Sequence, residues 1–320
     1  MFQTFNSHQQ YFYIFLNTMP LRLASPFLTA LALLTAILTV SCSRNPSDIG
    51  AANYTKVTVA YKTVRGVDPN LLSLDVYHFG QSSTPKPVVV YVHGGGFAIG
   101  DKANSMQNKT SLFSSLGYIF VSINYRLSPE KPSTDTNRVM YPTHHNDVAD
   151  AVQWVYANIA QYGGNPSKIA LLGHSAGAQL VSLTGTSQLF LPARNIPLST
   201  IKGVASIDTE GYDVTRQGRE GNEVYLNAFG SNPRIWAEAS PINNVQAGVS
   251  YPRFFIAKRG TMNRIGLADA FIAALERARV SVSQITANQY DHEGINDAIG
   301  APGETVVTEP LKAFFAQCFQ

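Results

Sequence analysis

The sequence predicts an α/β protein: a mostly parallel central sheet with an antiparallel start, helices on both faces, and a small cap insertion. Three observations predict it. Continuous apolar runs such as Val88-Val89-Val90-Tyr91-Val92 have the length and β-branched composition of strands buried on both faces. Segments with apolar residues at helical spacing separate these runs. The first two strand-like segments instead alternate apolar with polar residues, as half-buried antiparallel strands do. In chain order, residues 54–64 and 71–79 are the alternating strands, and 87–93, 118–124 and 168–173 are the buried ones. Residues 201–207, 253–257 and 280–287 continue the series. Helices are expected at 147–162, with Val148, Ala151, Val152, Val155 and Ile159 on one face, at 267–278, with Ala268, Phe271, Ile272 and Leu275, and at 310–319. Strand–helix alternation of this kind gives a parallel sheet covered on both sides, here a single domain over 54–320. Residues 209–250, with Trp236 and several other aromatics, are the insertion expected to cap the pocket.

Composition narrows the function. Of 320 residues, 45% are hydrophobic and 14% charged, which suits a buried core and excludes a solvated, disordered chain. The net charge is +3 with Lys and Arg scattered along the chain, which argues against a nucleic-acid partner. Residues 1–42 are expected to be a targeting segment. The stretch 23–40 is uncharged and mostly apolar, follows Arg22, and ends at Ser41-Cys42, the layout of a secretory signal. The run 1–18 fits that layout poorly, so translation is expected to start at Met19. Length alone also allows a membrane anchor. Leu38-Thr39-Val40-Ser41-Cys42 resembles a bacterial lipoprotein cleavage box, with Thr39 in place of the usual Leu. The expectation is an exported protein, a periplasmic or cell-surface lipoprotein anchored at Cys42. The alternative is plain secretion with Cys42 free or paired with Cys318. With two cysteines the fold does not rest on disulfides. Residues 43–53, rich in Ser, Asn, Asp and Gly, read as a flexible tether.

The chemistry lies in two glycine-flanked motifs. Gly173-His174-Ser175-Ala176-Gly177 matches G-x-S-x-G and sits between an apolar strand, 169–172, and an apolar segment, 178–183. That strand–turn–helix setting is what the motif requires. The turn is too tight for side chains beside the Ser, and the helix start brings N–H groups and a positive dipole end to the developing charge. Ser175 is therefore the expected nucleophile. His93-Gly94-Gly95-Gly96-Phe97 directly follows a buried strand. Acyl transfer builds negative charge on the carbonyl oxygen, and each preorganised N–H donor there is worth about 10²–10³ in rate. Gly95 and Gly96, with Ala176 across the site, are the expected oxyanion-hole donors. Phosphate-binding alternatives fail on identity. A dinucleotide fingerprint would need Gly where Ile99 stands, and a P-loop would need Lys directly after Gly100, where Asp101 stands. No cofactor is expected.

These motifs, with Asn124-Tyr125-Arg126-Leu127-Ser128-Pro129-Glu130 and Tyr162-Gly163-Gly164-Asn165-Pro166, resemble α/β-hydrolase-fold esterases and lipases marked by HGGG. That group includes hormone-sensitive-lipase-like and carboxylesterase-like enzymes, and the resemblance runs from about Tyr54 to the end. It implies carboxylic ester hydrolysis through an acyl-enzyme on Ser175. Its general base is expected at His292, the one His after His174, just beyond the last strand-like run. His93 is expected to shape its loop, His174 is the variable residue of the motif, and His78 lies in an early strand. His144 and His145, with Asp147 close by, point apart on a helix, so no metal site is expected there. The family's acid usually follows the penultimate strand, and there Asn263 stands where Asp would be expected. Asn can accept from the imidazole but cannot support its charge. Some α/β-hydrolases supply the acid from the preceding strand, which here ends at Asp208. Asp208 is the favoured acid. Asp269, Glu210, Asp213, or no carboxylate at all remain open. Small-molecule esters, acylated carbohydrates or short-chain lipids, are the expected substrates. The alternatives are an amidase or peptidase of the same fold, or a catalytically weak binding protein, the last motivated by Asn263.

Overall fold

The run centred on Val90 lies in the middle of an eight-stranded sheet. The computed structural model describes residues 54–320. The expected signal segment 1–42, with Met19 and Cys42, and the tether 43–53 lie outside the described residues. The elements are β1 (Thr55–Ala60), β2 (Ser73–His78), β3 (Lys86–Val92), α1 (Gln107–Ser115), β4 (Ile119–Ile123), α2 (Thr143–Asn158), β5 (Gly164–His174) and α3 (Ala176–Thr186). They continue with β6 (Ile201–Ile207), α4 (Val214–Arg219), α5 (Glu223–Phe229), α6 (Pro233–Ala239), β7 (Arg253–Lys258), α7 (Met262–Arg277), β8 (Val282–Thr286), α8 (Gly294–Asp297) and α9 (Thr308–Cys318). The strand order is β1-β2-β4-β3-β5-β6-β7-β8. β1–β2 and β2–β4 are antiparallel, and every later pairing is parallel.

Side-chain alternation explains why β3 is apolar throughout. Val88, Val90 and Val92 pack into one core with α2 and α3, while Val89 and Tyr91 pack into a second core with α1 and α9. On the first face, α2 inserts Val148, Ala151, Val152 and Val155. On the second, α9 inserts Leu311, Phe314 and Phe315 against Phe113 of α1. The Tyr125-Arg126 stretch is held to α2 by Asp147, which is buried and accepts from Arg126 Nε and Nη2, both at 2.7 Å.

The insertion between β6 and β7 folds into α4, α5 and α6. Each starts with a side-chain cap: Asp213 accepts from Arg216 N, Asn222 from Val224 N and Asn232 from Arg234 N. A loop after β4 supports α5, as Arg138 donates to the Leu226 and Asn227 carbonyls at 3.1 and 3.0 Å. Among the described residues no helix is long and apolar enough to cross a membrane.

Candidate active site

Parallel strands deliver their chemistry at their carboxyl ends, and here five of them end at one place. His93 to Gly96 follow β3, Ser175 follows β5, Asp208 follows β6, Arg259 follows β7, and His292 lies in the loop after β8.

Ser175 sits at φ 56° and ψ −120°, a conformation that costs a non-glycine residue about 1–3 kcal/mol. The surroundings hold it there. Its N–H donates to Ile207 O at 2.9 Å, and its carbonyl accepts from Ala178 and Gln179 at the start of α3. The flanking glycines are required by close approach. A Cβ on Gly177 would overlap the Val92 carbonyl, and one on Gly173 would overlap the Gly177 carbonyl. Both obstacles are backbone, which cannot yield.

Ser175 Oγ lies 2.8 Å from His292 Nε2, and His292 Nδ1 lies 2.6 Å from Asp208 Oδ2. The partners assign the tautomer: Nδ1–H donates to the carboxylate, leaving the Nε2 lone pair for the Ser175 hydroxyl. Asp208 has φ 50°, in the left-handed region that Asp tolerates. Its N–H bonds Ala257 O at 2.8 Å, extending the β6–β7 ladder by one residue. Its side chain is 1% exposed and accepts from two guanidinium groups besides His292: Arg259 Nε at 2.6 Å on Oδ2, and Arg264 Nε at 2.7 Å on Oδ1. Burial alone would raise the Asp208 carboxyl, but hydrogen bonds from His292 and Arg264 outweigh it and hold the carboxyl below its ordinary value.

Gly95, Gly96 and Ala176 line, together with Ser175, a pocket of about 270 Å³ whose other walls include Thr209, Glu210, Val224, Tyr225, Arg264 and Glu293. Gly95 has φ 105° and Gly96 has φ 59°, which turns the loop backbone toward the Ser. Among the described residues, the N–H groups of Gly95, Gly96 and Ala176 have no acceptor within the protein. A larger cavity of about 560 Å³ opens on the other face of α5, between Pro132–Met140 of the supporting loop and Ile235 of α6. It contains no member of the Ser175–His292–Asp208 chain, so the chemistry selects the smaller pocket.

The remaining candidates fall elsewhere. Asn263 lies in the first turn of α7, is exposed, and accepts from Arg216 Nη2, away from the imidazole. Asp269 pairs with Lys258, Asp213 caps α4, and Glu210 pairs with Arg264 at 3.1 Å. His144 and His145 are buried separately, each Nε2 3.0 Å from its partner, Ser128 Oγ and Gln179 Oε1 respectively. Burial lowers both to about 3, so they are neutral. Among the described residues, the three closely grouped metal-type ligands are His174, Asp208 and His292. Their ligand atoms are engaged, because His174 Nε2 contacts His292 O at 2.8 Å and both Asp208 oxygens carry guanidinium bonds. His174 thus supports the His292 loop, a contact that pattern reading missed. Arg259, Arg264 and Tyr225 were also missed. For the arginines one signal was present: two cations in the loop that lacks the expected acid.

Comparisons with known proteins bear on the fold and the family. Esterase LipQ of Mycobacterium tuberculosis is 32% identical over 212 residues, covering 60% of this chain and 46% of that one. Esterase LipC of the same organism is 27% identical over 271 residues, covering 81% and 62%. The chain thus spans about half the length of the curated relatives it matches. Among solved structures, esterase B from Lactobacillus rhamnosis superposes with a TM-score of 0.67 at 17% identity, covering 83% of this chain and 86% of that one. A truncated carbohydrate esterase from gut microbiota gives 0.66 at 18% identity, covering 84% and 98%. At that identity they establish the fold, which is the α/β-hydrolase fold. The BD-FAE family model matches residues 74–264, from β2 through the insertion to Arg264 on α7, and the chain belongs to that family.

Proposed function

We propose that the chain is a serine esterase that hydrolyses carboxylic esters through an acyl-enzyme on Ser175. The observation that carries this reading is the continuous hydrogen-bonded line from Ser175 Oγ through His292 to Asp208, facing three acceptor-free N–H groups. His292 Nε2 removes the Ser175 proton as Oγ attacks the ester carbonyl, and Gly95, Gly96 and Ala176 N–H groups take the oxyanion. The imidazolium then protonates the leaving alcohol. Water activated by the same nitrogen attacks the acyl group and releases the acid, regenerating Ser175. The names of three relatives, the esterases LipQ and LipC and the probable carboxylic ester hydrolase LipM, support the reaction class.

The pocket supports small, polar-flanked esters, since Thr209, Glu210, Asn222, Arg264 and Glu293 line it beside Val224 and Tyr225. The test is turnover of p-nitrophenyl acetate against the matched anilide, together with fluorophosphonate labelling. Ester turnover and labelling that vanish in Ser175→Ala are expected. Intact protein that neither turns over ester nor labels would overturn the reading, and preferred anilide cleavage would make it an amidase. We further propose export as a lipoprotein anchored at Cys42. Mass spectrometry of the mature amino terminus should find a lipid-modified Cys42, and any other terminus refutes it.

A further inference from the structure

The loop after β7 is where the resemblance placed an acid. Here it sends two cations to an acid supplied by β6. Arg259 Nε and Arg264 Nε each donate to a different oxygen of Asp208, and Arg264 Nη2 also donates to the Asp208 carbonyl at 3.1 Å. The carboxylate therefore has three donors fixed by three segments and cannot rotate away from His292. The same cations compete with the imidazole for its charge. Arg264 Nη2 lies 3.4 Å from His292 Nδ1. Because Nδ1 carries the proton given to Asp208, this is an approach of two donors and opposes positive charge on the ring.

We propose that Arg259 and Arg264 are positioning residues that lock Asp208 onto His292 and whose own charge opposes the positive charge the imidazole takes up. This rests on the serine-esterase reading. Other titratable groups also face His292. From β5, His174 is held neutral by burial, at about 3. From the β6 end, Glu210 pairs with Arg264 and offsets part of its charge. From its own loop, Glu293 lines the pocket, and Asp291 accepts from Gly294 N at 2.6 Å. Tyr225 of α5 is a phenol raised well above its ordinary value by burial, hence neutral.

The experiment follows kcat/KM for p-nitrophenyl acetate, and the rate of fluorophosphonate labelling, from acid to alkaline pH. Arg259→Gln should move the midpoint of the acid limb upward by about half to one pH unit, because a cation near the imidazolium is gone. Arg259→Lys should restore the wild-type midpoint. Glu210→Gln, which leaves Arg264 unbalanced and keeps both clamps on Asp208, should move it downward. A merely structural role for the arginine would lower kcat and leave the midpoint in place. An unmoved or reversed midpoint in both Gln variants, with wild-type turnover intact, overturns the charge proposal alone. Wild-type protein without turnover or labelling at any pH overturns this proposal and the esterase reading together.

Discussion

The Ser175 N–H donates to the Ile207 carbonyl at 2.9 Å, and Asp208 is the next residue in the chain. Nucleophile and acid are therefore referenced to each other through one backbone hydrogen bond between adjacent strand ends, β5 and β6. Only His292, on the loop after β8, must be brought to them. It is held by His174 Nε2 at its carbonyl and by Lys109, which donates to Asn296 O in the helix that follows.

The first prediction concerns the acid. Asp208→Asn keeps an acceptor for His292 but removes the charge and leaves two guanidinium groups without a carboxylate. In serine proteases the equivalent change lowers turnover about 10⁴-fold. The charge removed is the same here, and Arg259 and Arg264, left without their carboxylate, then oppose the imidazolium, so the expected loss is at least of that order, about 10⁴ in kcat. Melting temperature measured beside kcat separates lost chemistry from lost folding. Asp269→Ala, which breaks an exposed pair with Lys258, should leave kcat within about twofold. Loss of turnover in Asp269→Ala with activity retained in Asp208→Asn would exclude Asp208.

The oxyanion loop makes a second prediction. Gly95 has φ 105°, and a Cβ there would overlap the Ile99 carbonyl, so Gly95→Ala must displace the turn that accepts Ala98 and Ile99 N–H at Gly95 O. A displaced donor should lower kcat by about 10²-fold, with KM changed far less. Steady-state kinetics on p-nitrophenyl acetate reads this directly. An equal rise in KM at constant kcat would mean that the loop binds substrate and does not stabilise the oxyanion.

How much of this was legible depended on whether the signal was local. Ile201–Ile207 could be read as a strand because every residue but Lys202 is apolar or small, and that placed Asp208 at a strand end. Ser175 and the glycines were local for the same reason: their chemistry demands fixed neighbours. The clamp was not, because Arg259 and Arg264 meet Asp208 from about fifty residues away through strand-end packing. α1 left no clear pattern, since Lys109 is fully buried among Leu112 and Phe113 and breaks the apolar period. The caps of α4, α5 and α6 were readable signals, as Asp213, Asn222 and Asn232 each precede a helical turn.

Strain at the nucleophile supplies a third prediction. At φ 56° and ψ −120° glycine avoids a penalty that Ser175 bears, while losing about 0.5–1 kcal/mol of chain entropy. Ser175→Gly should therefore be inactive yet about 1 kcal/mol more stable in urea unfolding. Ser175→Ala, equally inactive, keeps the strain and should show no such gain. Equal stability of the two variants would mean the turn is not strained.

Lys109 gives the last prediction, one of pH and stability. Its ammonium is buried, donates to Ser105 O at 3.1 Å and Asn296 O at 2.9 Å, and sits 5.3 Å from the Tyr91 ring centroid. Burial lowers it from 10.5 to about 8. In the unfolded chain the lysine titrates near its ordinary value, so between about 8 and 10.5 the unfolded state binds the extra proton. Stability from this group must then rise as pH increases through that window, and below about 8 both states are protonated and the full penalty applies. The gain approaches about 3 kcal/mol on the size of the shift. Lys109→Met removes the charge and with it this slope. Urea unfolding of both proteins at pH 7 and pH 10 should show wild type gaining on the variant by that order. Parallel pH dependence in the two proteins would show that the ammonium is not penalised in the folded state.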